Sequence, residues 1–237
     1  MLSLNAQYYY LPPVNTGLNP NDINQDDDEF PFGSGLGPSW TSIQGSSASP
    51  VFTSIQSIPF TFNFNGNPVT QYIVSTSGVL TFTTSATAVP STSNTALPSA
   101  SIPDNSIMVW GLAGTGGNDN IVTNTYGTAP NRQHWVTFSS YSYPGLTSWT
   151  YFSIVLEESS DNIYIVDQRN NNVITSVDLT IGLQIDGSTA VQDVNSPNTN
   201  PNVQTSLATR ADNWYWSFIP GTQSQYDFSL NTIDVPE

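Results

Sequence analysis

The sequence predicts an all-β fold: a two-sheet antiparallel β-sandwich, jelly-roll-like, with long surface loops. Three observations predict it. Apolar residues alternate with polar ones along short runs, and Gly, Pro, Asn and Ser interrupt those runs at short intervals. No stretch keeps a helical period over about three turns. Burying every second residue is what a strand of one antiparallel sheet requires when it packs on a second sheet.

The strands read as follows. In residues 58–65, Phe60, Phe62 and Phe64 point one way and Thr61 and Asn63 the other. Residues 71–75 and 79–83 flank a turn on Ser77-Gly78, where Gly78 supplies the positive backbone angle of a tight hairpin. Met108 and Trp110 share a side of 107–112, and Phe152, Ile154 and Leu156 share a side of 148–157. Segments 133–139, 162–167, 179–185 and 214–219 complete the set. In the last, Trp214, Trp216 and Phe218 alternate with Tyr215 and Ser217, and both tryptophans are expected in the core.

Residues 1–50 read as an N-terminal arm or wrapping segment, 51–220 as the sandwich domain, and 221–237 as an exit segment or linker. Leu4-Asn5-Ala6 before Gln7 has the look of a signal-peptide remnant ending at residue 6. Residues 85–104 and 191–204 read as ordered surface loops. The aromatic stretch 7–11 is a candidate for strand addition to a neighbouring subunit, as in a polymerising surface filament, or for packing onto its own domain.

With 37% hydrophobic residues, including 11 Phe, 11 Tyr and 6 Trp, the 237-residue chain has enough apolar material for its own core. Its charge is lopsided: 3 basic against 18 acidic side chains give −15, and lysine is absent. Nucleic-acid binding needs Lys and Arg to neutralise phosphates, so no nucleic-acid partner is expected. An anionic membrane surface is disfavoured for the same reason, and no run reaches the ~20 apolar residues of a membrane helix. Without cysteine there is no thiol, zinc–thiolate or iron–sulfur chemistry.

Catalysis finds little support. Only four Glu exist; Glu157 and Glu158 are adjacent at a strand end, so a regular strand sends them to opposite faces and away from a shared cleft. Asp161 and Asp167 lie at opposite ends of one strand. The sole histidine, His134, shares a strand face with Val136 and Phe138 and reads as structural. No catalytic residues are assigned.

The strongest local signal is acidic. Asp22, Asn24 and Asp26 alternate and run into Asp27, Asp28 and Glu29; alternate carboxylates on a turning loop can supply several of the six to eight oxygens Ca²⁺ wants. Asp22, Asn24, Asp26 and Asp28 are therefore the candidate calcium ligands, although the stretch fails as an EF-hand, with Asp27 at position 6 and Gly33 at position 12. The loops 116–120 and 193–200 are weaker candidates. Trp40, Tyr141, Tyr143 and Trp149 sit near turns or on outward parity, where flat rings could form a partner or glycan surface.

Two motifs carry a resemblance. Val74-Ser75-Thr76-Ser77-Gly78-Val79-Leu80-Thr81-Phe82 resembles the strand, Ser-x-Gly, strand signature of secreted Bacteroidetes-type β-sandwich modules, and Gly127-Thr128-Ala129-Pro130-Asn131-Arg132-Gln133-His134-Trp135-Val136 resembles the Gly-x-Ala-Pro-Asn-Arg strand start of the same modules. Such modules belong to large adhesin-like surface proteins exported by the type IX route. The resemblance implies a structural or adhesive, non-catalytic role outside the cell, with other domains of a longer protein or neighbouring subunits as partners. Arg132 is expected to pair with a carboxylate or cap turn carbonyls.

Overall fold

The computed structural model describes residues 8–15, 19–24, 40–147, 149–170, 177–200 and 214–221. They form two antiparallel sheets and one short 3₁₀ turn at Pro20–Asp22. The strands are β1 (Tyr8–Asn15), β2 (Thr41–Gly45), β3 (Gln56–Phe64), β4 (Asn67–Ser75), β5 (Val79–Thr81), β6 (Ser106–Trp110) and β7 (Asn120–Thr128). They continue with β8 (Asn131–Tyr141), β9 (Thr150–Glu157), β10 (Ile163–Asn170), β11 (Thr180–Asp186), β12 (Thr189–Gln192) and β13 (Trp214–Pro220). The larger sheet runs β1-β13-β10-β9-β8-β7-β2 and the smaller β12-β11-β6-β5-β4-β3. The expected two-sheet sandwich is what the chain forms.

The main core lies between the sheets. Phe62, Phe64, Tyr72, Leu80 and Val109 of the smaller sheet meet Val136, Phe138, Phe152, Ile154, Ile165 and Trp216 of the larger one. The alternation read in the sequence delivers these side chains, because period-2 geometry places residues two apart on one face. Tight turns hold the registers. Gly78 (φ 94°) joins β4 to β5, and a Cβ there would stand 2.0 Å from the Val109 carbonyl oxygen, so no other residue fits. Asn65 and Gly66, both at positive φ, close the β3–β4 hairpin.

Parts of both outer faces are covered as well, which alternation alone does not predict. On the larger sheet Trp135, Val155, Tyr164 and Val166 form a second apolar cluster sealed by Trp40. On the smaller sheet the segment between β5 and β6 folds back over Val79, Met108 and Trp110, with Ile102 and Leu97 packed on them. Side chains tie that segment down: Trp110 Nε1 donates to the Ser91 carbonyl at 2.6 Å, and Gln184 accepts from Ser99 N and donates to the Ile102 carbonyl. Hence β6 and β9 are buried along their whole length instead of on one face.

The segment 1–50, read as an arm, supplies both edge strands of the larger sheet. β1 pairs with β13 and β2 with β7. The aromatic stretch at residues 8–11 is thus paired within its own sheet, and the alternative of packing onto its own domain holds. Residues 1–7, and with them the signal-remnant reading, lie outside the described residues, as does the exit segment from residue 222 onward.

Candidate functional site

Five buried or half-buried polar centres sit on or beside the strands, and their partners decide what each can do. At the end of β9, Glu157 is buried and its carboxylate accepts five hydrogen bonds, from Asn21, Gln133, Ser160, Asn162 and Tyr164, at 2.5–3.0 Å. Burial pushes its carboxyl up, but the donors outweigh that and hold it below the usual range. Gln133 also donates to the Pro20 carbonyl, so this carboxylate anchors the 19–24 segment to the larger sheet.

The neighbouring Glu158 turns the other way and forms a two-pronged pair with Arg132, whose Nη2 and Nε donate at 2.6 and 2.8 Å. The guanidinium lies 5.4 Å above the Phe60 ring. Arg132 therefore plays the expected structural part, and the two glutamates diverge as strand geometry requires. His134 is buried between the sheets, with Nε2 2.8 Å from Tyr72 Oη and Nδ1 2.9 Å from Thr125 Oγ1. Burial lowers its pKa to about 4, so it is a neutral bridge at physiological pH.

Asp193 is likewise consumed. It accepts from Tyr10, Trp216 Nε1, Asn195 N and Thr199 Oγ1, joining β1, β13 and the loop after β12. The expected tryptophan packing is met by Trp216, which is buried; Trp214 is half-buried and stacks on it with centroids 5.8 Å apart and planes 10° apart.

The aromatic surface reading is corrected at three of its four residues. Trp40, Tyr141 and Tyr143 are buried, although Tyr143 forms part of the wall of a cleft of about 450 Å³. For Tyr141 the cause is local: the register shifts between Phe138 and Tyr141, with Ser140 at φ 65°, and a bulge of this kind breaks the parity on which the outward assignment rests. Tyr143 hydrogen-bonds Asn170, and Trp40 seals the outer cluster. Trp149 alone stays half-buried at the surface.

Trp149 belongs to a centre that is open to solvent. Beside Tyr151, with ring centroids 5.8 Å apart and planes at 68°, it walls a cleft of about 280 Å³ whose other side is the loop 116–119 and whose floor includes Ser140. Ser140 Oγ sits 3.1 Å from Tyr151 Oη. The loop closes on Asp119: its Oδ2 accepts the Gly116 amide at 2.7 Å, and a Cβ on Gly116 would lie 2.7 Å from Oδ1. Burial pushes the Asp119 carboxyl up to about 6, partly opposed by that amide. Beneath the loop, Tyr141 Oη is buried without a hydrogen-bond partner, and burial together with the Asp119 charge pushes its pKa up.

Of the four candidate calcium ligands, Asp22 is exposed in the 3₁₀ turn and Asn24 is buried. The Asn24 carbonyl accepts from Asn19 Nδ2 at 2.6 Å, while neither polar atom of its side chain has a partner. Asp26 and Asp28 lie outside the described residues. Among the described residues no three His, Asp or Glu side chains gather as a metal site, and no helix is long and apolar enough to cross a membrane.

The family model described as NIDO related matches residues 35–230. The chain belongs to the NIDO-related family. NIDO-related domains are non-enzymatic modules of extracellular proteins. The match spans β2 to β13 and so takes in every strand but β1, together with the Trp149 cleft. No curated protein and no solved structure matches this chain.

Proposed function

We propose that this NIDO-related domain is a structural or adhesive module of a cell-surface protein, working by contact through its loops, with neighbouring domains or surface glycans as partners. What supports the reading is the way its acidic groups are spent. Glu157, Glu158 and Asp193 each accept hydrogen bonds from donors of their own chain, which fixes their geometry and ties up these three carboxylates. The outer faces are covered over their central strands, which leaves the loops, the cleft at Trp149 and the open outer side of β3 for contact. The finer reading as a type IX-exported bacterial module rests on the two motifs around Gly78 and Arg132.

Beads coated with the chain, offered to cells and to extracellular polysaccharides, should attach without releasing a product. Substrate turnover that disappears in a folded Glu157→Gln variant would refute the contact reading. Calcium at residues 22–28 is proposed as an accessory stabiliser, motivated by the unpartnered, buried Asn24 amide beside Asp22. Its expected signature is a melting temperature that rises with added calcium and falls with a chelator; an unchanged temperature removes the metal.

A further inference from the structure

We infer that the cleft between Trp149 and the loop 116–119 is a saccharide subsite, which deepens the contact reading and rests on it. Its walls match the two sides of a pyranose. A sugar ring has an apolar C–H face that stacks on a flat aromatic surface, and a rim of hydroxyls that both donate and accept. Trp149 offers a half-buried ring braced edge-on by Tyr151, so little side-chain freedom is lost when a ligand packs against it. Asp119, Ser140 and the exposed backbone of Gly116 and Gly117 also line the cleft. That is a small set of placed polar groups beside an aromatic wall.

The size and charge agree. About 280 Å³ lies just below the usual range for drug-sized ligands, which fits one sugar unit of a longer chain. A net charge of −15 disfavours phosphate or sulfate as the recognised group and leaves neutral, hydroxyl-rich rings. Two structural costs occur in or near the cleft. Ser140 holds a left-handed conformation uncommon for a non-glycine residue, and Tyr141 carries an unpartnered buried hydroxyl under the loop. Of the two, Ser140 lines the open cleft itself, and backbone strain of this kind is a cost that a binding site can retain.

Gly117 gives a clean way to test it. Nothing lies within 4 Å of a Cβ built there, and its backbone angle suits an ordinary residue, so Gly117→Gln adds bulk at the cleft mouth without disturbing the fold. The full chain is screened on an array of neutral and acidic oligosaccharides, and the best neutral oligosaccharide is titrated by calorimetry. Saturable binding is expected, weakened at least about tenfold by Trp149→Ala, Asp119→Asn and Gly117→Gln, with melting temperatures confirming folded variants. No saturable binding, preference for anionic sugars, or affinity unchanged in Gly117→Gln overturns the assignment. Choline is the control for a cation site; binding of choline with no response to neutral sugars overturns it as well. Bead attachment that persists in Gly117→Gln would sink the saccharide subsite while leaving the contact reading standing.

Discussion

Glu157 and Asp119 both belong to the larger sheet's neighbourhood, and both are buried, yet their surroundings push them in opposite directions. Glu157 receives five side-chain donors and is held below its ordinary pKa; Asp119 receives the Gly116 amide and is raised to about 6. The cause of both shifts begins with burial, which disfavours the charge. What differs is the number of hydrogen bonds offered in return. A carboxylate fully supplied with donors is a structural node, whereas one left short of them at a cleft has capacity for a ligand.

The sharpest way to break this contrast is Glu157→Gln. The replacement keeps the shape but swaps an acceptor oxygen for an NH₂ group that meets donors head-on, leaving buried groups unsatisfied. A loss of about 3 kcal/mol in urea unfolding is expected, because the 19–24 segment, Gln133 and the β9–β10 turn all depend on this one group. The acid limb carries the same signature. Since the folded pKa lies below the unfolded one, the stabilisation is present above the unfolded pKa and is lost as pH falls through the folded value. The variant should lack that loss; a variant as stable as the parent would show that the node is decorative.

The next effect has the opposite sign. Asp119 titrates near 6 in the folded chain and near its ordinary value when unfolded, so ionisation penalises the fold as pH rises between those values. Asp119→Asn keeps an acceptor for the Gly116 amide and removes the penalty. Because the cleft admits solvent, the expected gain at neutral pH is about 1 kcal/mol. Urea melts across that pH window should be flatter for the variant than for the parent. If stability falls instead, Asp119 is a node like Glu157 and the contrast collapses.

Legibility in the sequence followed the same physics of surroundings. Strands with clean alternation, such as β3 with its three phenylalanines or β13 with Trp214, Trp216 and Phe218, are readable because one face meets the main core. The edge strands β1, β2 and β12 are not: β1 contains Pro12 and Pro13, β2 has five residues and β12 four. β7 is also missed, since Asn120, Thr123, Asn124 and Thr125 mask its pattern. The cleft escaped because its parts are 30 residues apart in sequence and meet only through a bulge at Ser140 that reverses parity. Trp149 carried the one usable signal, an aromatic beside a turn.

The smallest effect concerns Glu158, one residue from the node yet governed by different physics. Its pKa is lowered first by the Arg132 hydrogen bonds, with desolvation opposing, and the pair sits at the rim of the fold. Water competes there for both partners, and salt screens what attraction is left. Glu158→Gln should therefore shift the melting temperature least of the three, and the difference from the parent should vanish in about 1 M NaCl. The stacking of Arg132 on Phe60 survives the substitution, which further limits the loss. A large, salt-resistant drop would mean that the pair is shielded from water like Glu157. Adjacent glutamates on opposite faces would then be equivalent, and the number of donors would no longer distinguish a node from a rim contact.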